Sequence, residues 1–224
     1  PQERVLLEHS WLALEDAAID AKSLRRSRCG VFAGSPGSDY ATLLRNRAGF
    51  GSHHMFTGNS PAILPARVAY HLDLTGPCLG LDTACSSALV AVHQACRSLA
   101  TGESELALAG GVAVFVTPEY HLLASSMGML SPHGRCASFD AAADGFVIAE
   151  GVGVVVLKPL AAAERDGDPI RGVIRGIGVN HDGRTNGITA PSTRSQAELE
   201  LDVYRTIGIN PSSIGYIDTH GTGT

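Results

Sequence analysis

The chain has 224 residues, of which 44% are hydrophobic and 17% charged, with 17 basic and 22 acidic side chains giving a formal net charge of -5. That length can bury one sizeable core, and the composition is that of a soluble α/β domain, which excludes a disordered or fibrous chain. The acidic balance without charge runs gives no footprint for nucleic acid, no apolar stretch reaches the roughly 20 residues of a membrane span, and PQERVLLEHS at the start lacks the order of a signal peptide, so a cytoplasmic protein is expected.

Residues 2–19 place Leu7, Trp11, Leu14 and Ala18 on one helical stripe, with Pro1 where a first turn tolerates it, and predict an amphipathic helix with that stripe toward the core. CGVFAG (29–34) predicts a short buried strand ending in a turn, and SPGSDYATLLRNRAG (35–49) a loop and then a helix. TGPCLGLDT (75–83) predicts a strand running into Cys85. SSALVAVHQACRSLA (86–100) predicts a helix closed by Thr101 and Gly102, and ELALAGGVAVFV (105–116) a second buried strand. GVGVVVLKPL (151–160) and IRGVIRGIGV (170–179) are two further β-rich runs. STRSQAELELDVYRTIGI (192–209) is helical, with Ser195 and Glu198 spaced as a capping box, and IGYIDTHGTGT (214–224) reads as a strand entering a polar turn. The alternation of helices with strands apolar on both faces predicts a layered α/β fold with helices covering a mixed sheet, and no linker or repeat divides the chain.

The five cysteines, Cys29, Cys78, Cys85, Cys96 and Cys136, are odd in number and form no CxxC pair, which argues against a disulfide framework or a zinc knuckle. Among nine histidines, His53 and His54 are adjacent and none shows HExxH spacing, so no metal site is expected. Cys85 falls where a strand should end and a helix begin. A sulfur there faces the unpaired N–H groups and positive end of the helix dipole, which favour a thiolate. Its neighbours Ala84, Ser86, Ser87 and Ala88 are small, as a sharp turn requires, and its own N–H is placed to serve as an oxyanion donor. Local sequence equally allows Cys85 to be a small buried core residue. His220, at a predicted strand end and followed by two glycines and two threonines, reads either as a ligand-approaching imidazole or as an ordinary surface-loop histidine.

The motifs DTACSSALVAVHQACRSL (82–99), SPHGRCASFDAAADGFVIAEGVGVVVLK (131–158), NHDGRTNGITAPS (180–192) and DTHGTGT (218–224), in this order and spacing, resemble the β-ketoacyl synthase domain of modular type I polyketide synthases. The stretch 187–224 is most similar to synthases served by a separate acyltransferase. The resemblance implies a thiolase-like layered αβαβα sandwich built from two similar halves, normally dimeric. Of this, residues 1–224 represent one ketosynthase domain truncated at both ends: mostly the N-terminal half plus the start of the second. The strand before residue 1 and most of the second half, with a second histidine and a lysine, are expected outside the chain, and the fragment alone is expected to be inactive.

By the same resemblance, Cys85 is the nucleophile that accepts an acyl chain from a phosphopantetheine thioester, and His220 hydrogen-bonds the extender thioester oxygen during decarboxylative Claisen condensation. Thr222 and Thr224 match hydroxyls that hold the pantetheine arm, and Glu150 matches an acidic position read as structural support. No cofactor is bound directly; the implied partners are an acyl carrier protein and a second copy of the synthase. Ala88 departs from the usual third serine, and Pro65 and Ala66 from an AAGR pattern. A fatty-acid or polyunsaturated-lipid synthase shares the same cysteine and histidine, and a non-condensing acyl-transfer or scaffolding domain is compatible with every residue seen. Retention of Cys85, rather than Gln or Ser, speaks against a loading decarboxylase.

Overall fold

The computed structural model describes residues 1–46 and 54–224; the last residues of the helix expected over 35–49, and His53, lie outside them. The chain divides into two compact units, Pro1–Pro169 with His220–Thr224, and Ile170–Thr219.

In the larger unit the layering follows from alternation along two strands. Strand β1 (Cys29–Gly34) is buried at every position. Its Cys29, Val31 and Ala33 join one apolar cluster while Phe32 joins another on the opposite face. Strand β3 (Leu106–Ala113) repeats the pattern, with Leu106, Leu108 and Val112 on the first face and Ala107 and Ala109 on the second. Two-sided burial of this kind requires cover on both faces. Helices α1 (Gln2–Asp16) and α4 (Ile63–Leu72) cover the first through Leu6, Leu14, Leu64, Val68 and Leu72. Helix α5 (Ser87–Ala100) covers the second through Ala91 and Ala95. The alanines on both sides of that second interface let α5 approach the sheet closely.

Two more strands complete the sheet: β2 (Cys78–Leu81) and β4 (Gly151–Leu157), in the order β2-β1-β3-β4. β1 pairs parallel with both β2 and β3, whereas β4 runs antiparallel to β3. Helices α2 (Tyr40–Asn46), α3 (His54–Thr57) and α4 fall between β1 and β2, α6 (Glu119–Ser126) between β3 and β4, and α7 (Leu160–Asp166) follows β4. Pro65 is tolerated in α4 because it sits in the first turn, where N–H groups have no intrahelical acceptor. No helix among the described residues is long and apolar enough to cross a membrane.

Several expectations are corrected. Of the stripe expected on α1, Leu14 is buried and Leu7 packs against the core, but Trp11 is exposed, with its indole N–H donating to Glu15, and Ala18 lies beyond the helix end; the buried stripe is Gln2, Leu6, Ser10 and Leu14. The stripe includes polar residues that apolar periodicity does not register: Ser10 donates to the Leu6 carbonyl, and the Gln2 side chain accepts from the Val114 N–H.

The smaller unit holds helix α8 (Thr193–Ile207). The β-rich run 170–179 is not a strand, because a strand exists only within a ladder and no described segment pairs with it. Instead its glycines lie against α8: a Cβ on Gly176 would stand 2.8 Å from Ile207, and one on Gly178 2.7 Å from Val203. Residues 214–217 likewise form no strand. The cap of α8 is Ser192, which accepts from the Ser195 N–H at 3.1 Å, while Glu198 pairs with Arg194 rather than closing a capping box.

Candidate active site

Three parallel strands put their carboxyl ends at one edge of the sheet, the place where α/β proteins gather ligands. The segments leaving that edge are the loop after β1 with Asp39, the turn after β2 with Cys85, and Phe115–Thr117 after β3. Because β4 is antiparallel, with Gly151 opposite Ala113, its amino end lies at the same edge and brings Glu150 there. Hydrogen bonds join these segments. One Asp39 carboxylate oxygen accepts from the N–H groups of Val116 and Thr117, both at 2.8 Å, and from the Thr117 hydroxyl at 2.9 Å. The Glu150 carboxylate accepts from the Phe115 N–H at 2.6 Å.

The turn carrying Cys85 is built almost entirely from short polar side chains. Asp82 accepts from the Ala84 N–H at 3.0 Å, and the Ser87 hydroxyl accepts from the Thr83 N–H at 2.8 Å while donating to the Ala84 carbonyl at 2.6 Å. Thr83 and Ser86 hydroxyls meet at 2.9 Å. These contacts hold Ala84 at φ +56°, a left-handed conformation that side chains other than glycine adopt only under constraint. Cys85 emerges exposed, immediately before the Ser86 cap of α5, so the core reading of this thiol is removed. The start of α5 is seated on glycine: a Cβ on Gly34 would stand 2.5 Å from the Ser87 carbonyl carbon, and one on Gly111 2.9 Å from Ala88 Cβ.

The other cysteines differ from Cys85 in setting. Cys29 is fully buried, and burial pushes its thiol up to about 12. Burial also raises the thiols of Cys78 and Cys96. Cys136 is exposed, and its sulfur accepts from the Val147 N–H at 3.2 Å.

His220 is exposed and begins a segment whose glycines, Gly221 and Gly223, adopt φ +52° and +75°. The Thr222 and Thr224 hydroxyls lie 2.9 Å apart. The segment is fastened to the loop 131–146: the Ser138 hydroxyl donates to the Gly221 carbonyl, and the Gly145 N–H donates to the Gly223 carbonyl at 3.0 Å. The structure thus brings His220, Thr222 and Thr224 together with this loop, and Glu150 with Phe115. Among the described residues no hydrogen bond links Cys85 to any of them.

Asp39, Ser138, Asp144 and Gly145 escape a reading of the sequence alone. Asp144 receives the Ser131 hydroxyl at 2.6 Å and faces His133 Nδ1 at 2.6 Å, and these two hydrogen bonds, Ser131's first, hold its carboxyl below the usual range. Since Ser131 donates to the carboxylate and not to the imidazole, these three residues are not a nucleophile and base pair. Within 131–146 only the spacing of polar residues signals Ser138 and Asp144; Ser138 and Gly145 act on main-chain carbonyls and Asp39 mainly on main-chain N–H groups.

Residues 1–163 match the model of the β-ketoacyl synthase N-terminal domain and residues 171–224 that of its C-terminal domain, and the chain belongs to this family. Over its whole length it is 48% identical to polyketide synthase PksL of Bacillus subtilis, covering 5% of that protein. It is 51% identical to polyketide synthase ThaG of Burkholderia thailandensis, covering 4%. Among solved structures it matches the ketosynthase from module 6 of the bacillaene synthase of Bacillus subtilis over its full length, at 47% identity and TM-score 0.92, spanning 38% of that chain. The oxazolomycin ketosynthase domain OzmH KS7 of Streptomyces albus gives 41% identity and TM-score 0.93, again over 38% of its chain. The architecture is therefore the thiolase-like fold of ketosynthases, represented in part.

Proposed function

We propose that this chain supplies the acyl-accepting cysteine and the first histidine of a ketosynthase that elongates polyketide chains. In the first step Cys85 thiolate attacks the thioester carbonyl of an acyl group carried on phosphopantetheine; the new thioester forms on Cys85 and the pantetheine thiolate leaves, taking up a proton. In the second step a malonyl thioester loses carbon dioxide. The electron pair of the broken carbon–carbon bond becomes an enolate that attacks the acyl-Cys85 carbonyl, forming the new carbon–carbon bond and releasing the Cys85 thiolate. His220 donates a hydrogen bond to the thioester oxygen on which the enolate charge develops.

Thr222 and Thr224 are assigned to the pantetheine arm. Glu150, through its bond to Phe115, is assigned to supporting the site edge. The substrates arrive on an acyl carrier protein, the synthase acts as a homodimer, and the setting is the cytoplasm. The observation that carries the reading is the exposed Cys85 thiol, presented by a side-chain-locked turn at the amino end of α5.

The test separates the two half-reactions in the full-length protein that carries these residues. His220→Ala should leave acyl loading of Cys85, followed by intact mass, largely unchanged while β-keto product formation from malonyl carrier protein falls by roughly 10²-fold or more. Equal loss of loading and condensation would place His220 on the nucleophile or on folding instead. Loading with no condensation in the unmutated protein would favour an acyl-transfer domain.

A further inference from the structure

The segment His220–Thr224 cannot hold its own geometry. Two of its five residues are glycines at positive φ, where the backbone has the most conformations to lose on ordering. Among the described residues two hydrogen bonds from outside fix it, and they fall on the carbonyls of those two glycines: the Ser138 hydroxyl on Gly221 and the Gly145 N–H on Gly223. They flank Thr222, and the first lies on the residue next to His220.

The loop that provides both contacts is itself closed. Ser131 N–H donates to the Phe146 carbonyl and Phe146 N–H to the Met129 carbonyl, both at 3.0 Å. Within it, Asp144 ties Ser131 and His133 together, and the Ser131 hydroxyl also accepts from the His133 N–H at 3.2 Å. The residue after Asp144 is Gly145, at φ +142°, where an added Cβ would stand 2.5 Å from the Ser131 nitrogen and 2.8 Å from the Met129 carbonyl oxygen. No side chain fits there, so the Gly145 N–H is aimed at Gly223 by a backbone that Asp144 and Ser131 lock in place.

We infer that Ser138 and Gly145, with Asp144 acting through Gly145, are positioning residues that set where His220 stands. This rests on the reading that His220 serves the condensation step. Ser138 is the contact that a side-chain substitution can remove cleanly.

The experiment uses the full-length protein, with acyl loading of Cys85 and kcat and KM for malonyl carrier protein measured separately. Loss of one hydrogen bond of this kind should cost Ser138→Ala about three- to tenfold in condensation, mainly in kcat, with loading unchanged. Ser138→Thr should restore condensation and Ser138→Val should not; because these two have the same bulk, they read the hydroxyl even if the alanine variant folds poorly. The double variant Ser138→Ala/His220→Ala should condense no more slowly than His220→Ala alone, because Ser138 acts through His220. Wild-type condensation in Ser138→Val, or losses that multiply in the double variant, would overturn the inference. If His220→Ala itself condenses normally, the assignment of His220 fails first. If His220→Ala is slow and Ser138→Val is not, the positioning role alone fails.

Discussion

At the scale of single residues, the five cysteines make an internal comparison. A thiol reacts as its thiolate, so a group pushed up by burial is slow at neutral pH. That applies to Cys29, Cys78 and Cys96. Cys85 and Cys136 are the exposed pair, and of these only Cys85 precedes a helix amino terminus, where the dipole and unpaired N–H groups favour negative charge. Limiting iodoacetamide at neutral pH, with the adducts mapped by peptide mass, should therefore label Cys85 first. Earlier modification of Cys136 would show that the Val147 N–H on its sulfur outweighs the helix terminus, and would remove the nucleophile assignment.

At the scale of elements, the position of Cys85 depends on how closely α5 sits on the sheet, and that closeness rests on Gly34 and Gly111. Gly34→Ala must push the first turn of α5 outward, because its Cβ meets backbone that cannot rotate away. It should lower stability by about 1–3 kcal/mol, read as a lower denaturant midpoint with unchanged slope, and should slow Cys85 labelling. A variant with the wild-type midpoint and labelling rate would mean that α5 is not seated this way. Element by element, β1, β2, α5, β3 and β4 were legible in the sequence because each is a local pattern of apolar residues between turn signals. The order β2-β1-β3-β4 was not, since pairing between distant segments leaves no local mark. In the α1 stripe Leu7 and Leu14 were legible, whereas Trp11 stands exposed and Gln2 and Ser10, buried through hydrogen bonds, carry no apolar signal. Run 170–179 looked like a strand because valine and isoleucine carry that propensity wherever they fall, while pairing depends on a neighbour. At the site, Cys85 and the HGTGT segment stood out as motifs, whereas Ser138 and Gly145 act on main-chain atoms that only the folded structure brings within reach, and Asp144 on the Ser131 and His133 side chains.

At the scale of the whole molecule, the chain spans 38% of the solved ketosynthase chains it matches, so most of those chains has no counterpart in these 224 residues. Large apolar side chains stand exposed, among them Tyr70 at 89%, Phe139 at 88% and Tyr216 at 81%. Under the proposed function, this chain carries the covalent step that precedes every other. The direct measurement is to incubate the full-length protein with an acyl-phosphopantetheine thioester, quench in acid, and map the acyl group by peptide mass, with a Cys85→Ala variant alongside. One acyl adduct is expected, on Cys85 and absent from the variant; an adduct on another residue, or loading that survives Cys85→Ala, would contradict the assignment of Cys85 as the acyl acceptor.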